Sequence, residues 1–377
     1  MKKLFAYIKK EPMLFVSIFV AIISFFITPP SKEVLSGIDV KTLVILFMML
    51  TVLEGFKKEN IFRPLLKITG KFSHMTSLSL FLTFGVFFTS MFVTNDVSLI
   101  IFVPITIILF RAGNKEKYIL PLLTFENIAA IRGSLLTPFG SPQNLYIFGK
   151  SGMSVGEFLL TMLPLWLMSA VLLVGFIFFL YRKDVHETIS FGDKDVAGQW
   201  KKEDRTNRIV YLTLFLLVLL TIVTRTEYWY ITAVIVIIAA LIFDRKILLK
   251  TDYVLLMTFL CFFVFSSAVA ANPTISAFLS KSVESHEYIW SIALSQIISN
   301  VPASIVLLPF STNTKALLYG LDTAGLCSVI GSLASVINLR LYVREYPGKS
   351  GKFIKVFTLI SLAFFAFVVL PGYFISR

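Results

Sequence analysis

Residues 288–311, YIWSIALSQIISNVPASIVLLPFS, form an apolar stretch of 24 residues, with Lys281 and Glu287 before it and Lys315 after it. It breaks at Ser299-Asn300-Val301-Pro302, where short polar side chains meet a proline that removes a backbone donor. Each arm is 10 to 12 residues. As helix an arm measures roughly 15–18 Å, about half of a hydrocarbon core ~30 Å thick. Two complete crossings do not fit. A helical hairpin that enters and leaves on the same face, with its tip near mid-depth, does.

The rest of the chain agrees with a membrane setting. Of its 377 residues 56% are hydrophobic and 15% charged, and the mean hydropathy is +0.83. Water-soluble chains carry about 25% charged residues. Nine segments read as full spans: 13–28, 40–56, 118–149 (interrupted), 157–181, 208–224, 229–243, 253–271, 314–341 (interrupted) and 354–375. The lysines before Leu14–Ile27 imitate a secretory signal, but no small-x-small cleavage site follows, so this segment reads as a retained first helix. Cys261 and Cys327 both lie in apolar segments and read as buried thiols, not a disulfide.

A net charge of +13 raises the question of a polyanionic partner. With the N-terminus cytoplasmic, 27 of the 35 Lys and Arg residues fall on inside segments, 7 outside, and Arg132 within a span. That is the positive-inside pattern. The basicity therefore reports topology and gives no reason to expect nucleic acid. The reading is a multi-pass protein of the cell inner membrane, N-terminus cytoplasmic and C-terminus outside, with the lipid bilayer as its surroundings.

A second hairpin is expected over 75–110, with its tip at Thr94-Asn95-Asp96, although its 36 residues also suffice for two short spans. Internal similarity favours the hairpin. Pro104 follows Asn95 by nine residues, and Pro309 follows Asn300 by nine. After each hairpin comes a span interrupted by polar residues, at Ser134–Asn144 in the first half and Gly325–Ser335 in the second, each with a Gly-Ser pair (Gly140-Ser141 and Gly331-Ser332). Span, hairpin, broken span, span recurs with opposite orientation, which is the inverted repeat of secondary transporters. The expected fold is all-α, with about nine spans and two re-entrant hairpins. Its parts are N-terminal scaffold helices (1–74), first-repeat transport elements (75–181), a cytoplasmic linker (182–207), second scaffold helices (208–287) and second-repeat transport elements (288–377).

Unpaired backbone amides in hydrocarbon are costly, so non-helical chain at depth survives only inside protein or beside a wet cavity. The four breaks therefore point to a central binding site. Its candidate residues are Thr94, Asn95 and Asp96; Arg132, Ser134, Thr137, Gly140, Ser141, Gln143 and Asn144; Ser299 and Asn300; and Gly331, Ser332 and Ser335. Helix N-termini aimed at mid-depth attract anions, and unwound carbonyls attract Na⁺. No metal centre is certain, but Asn95, Gly140, Asn300 and Gly331 are possible Na⁺ ligands. Asp96 and Arg132 are ionisable at depth, which marks a pathway or a pair. Arg132 has an oxyanion or Asp96 as its candidate partner. Glu126 and Asn127, on the same half-helix, are weaker candidates. For Ser266, Ser267 and Asn338 an interhelical hydrogen bond is the simpler reading. Motifs for zinc proteases, serine hydrolases and phosphate-binding loops are absent, which leaves transport and not catalysis, with no cofactor beyond a coupling Na⁺ or H⁺.

At these motifs the chain resembles the ion transporter superfamily of arsenite efflux pumps, citrate-type permeases and sodium-coupled carboxylate symporters. Thr94-Asn95-Asp96 with Pro104, and Thr137-Pro-Phe-Gly-Ser-Pro-Gln-Asn144, look most like its arsenite-pump and uncharacterised anion-permease branch. The Ser-Asn-Thr of both tips in sodium–carboxylate symporters is replaced here by Thr94-Asn95-Asp96 and Ser299-Asn300-Val301, which counts against sodium–dicarboxylate symport. The resemblance implies elevator-like alternating access, a homodimer, and substrate contacts at Thr94, Asn95, Ser299 and Asn300. The expected cargo is a small anion, carboxylate or inorganic oxyanion. Arsenite or antimonite efflux, and an ion channel, are the alternatives.

Overall fold

A computed structural model describes residues 12–59, 69, 72–183, 185–189 and 205–377. Most of the expected linker 182–207 lies outside the described residues. In chain order the helices are α1 (Pro12–Ile27), α2 (Lys32–Ser36), α3 (Val40–Lys58), α4 (Met75–Val93), α5 (Asn95–Ala112), α6 (Ile119–Ser134), α7 (Pro142–Ser151), α8 (Val155–Leu180), α9 (Arg205–Thr224), α10 (Trp229–Lys250), α11 (Tyr253–Ala270), α12 (Pro273–Val283), α13 (Glu287–Ile298), α14 (Asn300–Leu307), α15 (Thr314–Ala324), α16 (Leu333–Glu345) and α17 (Ser350–Ser376). No strand occurs among the described residues, and the chain is an all-α multi-pass membrane protein.

Helices stand at all nine expected spans, but seven described helices are long and apolar enough to cross a membrane, and two of these are α4 and α5, the arms expected to form a hairpin. Continuous apolar composition makes them helical, and polar caps place their starts. Asp39 accepts a hydrogen bond from the Thr42 amide, Asp252 from Leu255, Asn272 from Ile275 and Asn313 from Ala316, at 2.9–3.1 Å. Ser154 and Glu157 form a reciprocal capping box at the start of α8. The span expected over 229–243 continues through a kink at Asp244, whose φ of −165° and ψ of 88° interrupt the helix, as far as Lys250. Ser266 and Asn338 make the interhelical bonds read from sequence, to the carbonyls of Ile305 (2.8 Å) and Leu123 (2.7 Å).

The two hairpins differ in length. The arms of α13–α14 have 12 and 8 residues; the second is shorter than expected and runs on as a 3-10 turn over Leu308–Phe310. Those of α4–α5 have 19 and 18 residues, each long enough to cross. Both ends of the longer pair nevertheless return to one place. Residues 185–189, just after α8, bond to Ser73, Met75 and Thr76 at its start, and Glu187 pairs with Lys115 (2.9 Å) beyond its end. Arg111, which pairs with Glu345 (3.4 Å), lies at this end too, the basic end of the molecule.

Each tip is narrower than the sequence suggested. A single residue interrupts the helix, Thr94 in one hairpin and Ser299 in the other. Their backbones are nearly identical, φ 70° and ψ 154° against φ 69° and ψ 158°. That region is almost reserved for glycine and costs on the order of 1–3 kcal/mol in a side-chain-bearing residue. The same strain at both tips is strong support for a repeated unit. The two other breaks match as well. Ser141 and Ser332 precede α7 and α16 in extended conformations of φ −149° and −147°. The helices run further into the breaks than expected: α6 includes Ser134, α7 already includes Gln143 and Asn144, and Ser335 lies in the first turn of α16.

Candidate transport site at the hairpin tips

A cavity of about 140 Å³ lies at the tips. Asp96 and Ser299 reach it from the two tips, joined by Pro302 of α14. Asp252, Thr258 and Phe259 contribute from α11, Leu14 from α1 and Arg340 from α16. Each tip rests on the break of its own repeat. Thr137 donates a hydrogen bond to the Met91 carbonyl near the first tip, and the Asn300 amide donates to the Gly331 carbonyl (3.2 Å) at the second. Asn95 accepts from the Asp96 amide (2.9 Å), which turns the first tip into α5. The breaks then bond across repeats: Asn127 donates to Ser335 (2.9 Å), and Gln143 to Asp322 (3.0 Å).

Of the residues singled out from sequence, Asp96 and Ser299 line the cavity, and Thr94, Asn95 and Asn300 adjoin them at the tips. Ser134, Thr137, Gly140, Ser141, Gln143 and Asn144, with Gly331, Ser332 and Ser335, form the layer of breaks packed behind. Several of their buried atoms have no hydrogen-bond partner among the described residues: Ser141 Oγ, Asn144 Oδ1, Ser299 Oγ and Asn300 Oδ1. Buried polar atoms are rarely left unpaired, which keeps these among the candidate ligand atoms.

Arg132 departs from expectation. It does not meet Asp96. Its Nε donates to Ser169 (2.8 Å) and its Nη1 to the Asp322 carbonyl (3.0 Å), and it is fully buried away from the cavity. Asp96 shares the cavity wall with Asp252 instead. Sequence reasoning missed Asp252, Thr258, Arg340 and Asp322. Asp322 carried a usable signal, an ionisable residue inside an apolar span, the same sign that marked Asp96 and Arg132. Asp252 and Arg340 sit near helix ends, where charges are ordinary, and nothing local distinguished them.

The end opposite the basic end is closed by polar contacts. Arg225, between α9 and α10, donates to the carbonyls of Phe148 and Met153 (2.5 Å each) and stacks on the Phe148 ring at 4.0 Å. Lys150 pairs with Asp39 (3.0 Å), and Lys41 with Glu227 (3.0 Å). A cation over the C-terminus of α7 is favourable for the helix dipole as well. Loosening this cluster is expected to expose what lies beneath. With Cys261 and Cys327 replaced, Arg225→Gln should raise maleimide labelling of Tyr146→Cys in purified protein several-fold; equal rates would show that Arg225 does not hold this end shut.

Comparison with known proteins adds an independent line. The profile of a family described as "Citrate transporter" matches residues 4–336. An uncharacterized transporter of Methanocaldococcus jannaschii is 32% identical over 332 residues, covering 87% of this chain and 88% of that one. Inner membrane protein YbiR of Escherichia coli is 30% identical over 325 residues, covering 85% and 84%.

Proposed function

The chain belongs to the citrate transporter family, and from that premise we propose that it is a secondary transporter of a small carboxylate or inorganic oxyanion, driven by a Na⁺ or H⁺ gradient. One observation carries the reading: Asp96 and Ser299, from the two strained tips, line a single cavity. A site shared by the tips of two mirror-related repeats suits an alternating-access cycle. The tips and breaks bond to one another, which supports their moving as a body past α1, α3 and α9–α11 in an elevator-like step. By the positive-inside rule the basic end is the cytoplasmic one in this reading. The unpaired acceptors at Ser141, Asn144, Ser299 and Asn300 suit a coupling cation beside the carbonyls of Gly140 and Gly331. A homodimer is part of the same proposal.

The test is uptake of citrate into proteoliposomes under an imposed Na⁺ or pH gradient, with counterflow as the carrier signature. Saturable, counterflow-competent uptake is the expected result; channel-like currents without counterflow would end the carrier reading. Arsenite efflux is the second reading, favoured by one feature: the cavity wall holds two carboxylates, Asp96 and Asp252, beside one guanidinium, Arg340. Such a lining suits a weakly charged hydroxylated solute better than a polyanion. Competition of arsenite against citrate in the same vesicles separates the two.

A further inference from the structure

One turn of α15 touches three parts of the site. The Leu321 carbonyl accepts from Asn300 Nδ2 at the second tip (3.4 Å), and the Ala324 carbonyl from Gln296 on the same hairpin (3.1 Å). Between them, Asp322 accepts from Arg132 through its own carbonyl and from Gln143 Nε2 through Oδ1, both at 3.0 Å. Asp322 and Gln143 are both almost wholly buried. Gln143 lies in the first turn of α7, two residues after Ser141, the residue that precedes this helix. The contact crosses the repeats, since α15 belongs to the second and α7 to the first.

A buried carboxylate has a simpler use, to balance the buried guanidinium of Arg132. The geometry goes further, because the carboxylate oxygen is spent on an uncharged amide. Arg132 takes only the backbone carbonyl, and its Nη2 and Asp322 Oδ2 remain without a hydrogen-bond partner among the described residues. Charge balance asks for proximity alone. A directed bond to Gln143 fixes where the N-terminus of α7 stands.

We propose that Asp322 is a positioning residue of the transport site, which holds Gln143 from the opposite repeat and so sets the first break in register with the second tip. The inference rests on the transporter reading for its consequence, but not for its geometry. The Gly140–Asn144 break stays shaped for its ligand only while this bond exists, and changes on α15 are felt at α7.

Removing Asp322 alone would strand the Arg132 charge and test mainly that. Two neutralised pairs separate the roles. Arg132→Met with Asp322→Asn keeps an acceptor for Gln143; Arg132→Met with Asp322→Leu does not. The expected result is that the Leu pair shows faster amide hydrogen exchange over residues 143–146 and a KM for citrate raised about tenfold over the Asn pair, within the usual range of coupling between sites. Similar thermal midpoints in the two pairs would locate the difference in the site. Equal exchange and equal KM in the two pairs would overturn the proposal. If the Leu pair does not fold, Gln143→Met removes the same bond from the other side, and unchanged exchange over residues 321–324 in that variant would overturn it equally. The exchange measurement needs no substrate. Altered exchange in a protein whose wild type ignores citrate would sustain the positioning role and count against the citrate reading alone.

Discussion

Gly140→Ala is expected to abolish transport while leaving the protein in the membrane. A Cβ on Gly140 would stand 2.1 Å from the carbonyl oxygen of Ser134 and 2.9 Å from its carbonyl carbon and Cα. The obstacle is backbone, the last residue of α6, and it cannot rotate away as a side chain would. Gly331 meets the same obstacle in the second repeat: its Cβ would lie 2.5 Å from the carbonyl of Ala324, the last residue of α15. In each half the chain leaves a half-helix, loops, and passes back over the end of that half-helix before the next begins. Only glycine permits so close a return. Overpacking a well-filled site costs typically about 1–3 kcal/mol and more where backbone must shift, and here the shift displaces Ser141 and the start of α7. The spans that drive insertion are untouched. Normal membrane expression with uptake below about a hundredth of wild type is the expected pair of results. Wild-type uptake by Gly140→Ala would mean that the loop reshapes freely and is no part of the site.

The hairpin of 288–311, the helical segments and the matching breaks of the two halves were legible because each rests on a length or an order of elements. A bilayer has a fixed thickness, and 24 apolar residues admit few solutions. Less was legible where the outcome depends on contacts between distant segments. Arg132 and Asp96 are both ionisable at depth, and sequence alone offered them to each other. Asp322 and Asp252 are the residues that stand nearer, at Arg132 and in the wall beside Asp96 respectively. The two hairpins also taught different lessons. Charges at both ends of 288–311 bounded its arms, whereas 75–110 continues into helix up to Ala112 and reaches a full crossing length on each side. The strain at Thr94 and Ser299 left no sign beyond the choice of a small hydroxyl residue before asparagine.

That asparagine carries the second large effect. Asn300→Ala and Asn95→Ala are both expected to eliminate uptake, by different routes. Asn300 is buried, and its side chain donates to the Leu321 carbonyl while its own amide donates to the Gly331 carbonyl, so it ties the second tip to α15 and to the break that follows it. Its Oδ1 has no partner among the described residues and stays available to a ligand. Alanine at this position removes a ligand atom and a tether at once. Asn95 instead spends Oδ1 on the amide of Asp96, a local turn that starts α5 and faces Asp96 into the cavity. Asn95→Ala should therefore lose transport with little change in thermal midpoint, whereas Asn300→Ala should lose transport and also melt several degrees lower, as befits about 1–2 kcal/mol of lost buried hydrogen bonding. Asn95→Asp preserves the acceptor and is expected to retain measurable uptake; Asn300→Asp forfeits the donor to Leu321 and is not. Equal behaviour of the two aspartate variants would place the asparagines in equivalent roles and dissolve the distinction between a tip that only turns the chain and a tip that clasps the break.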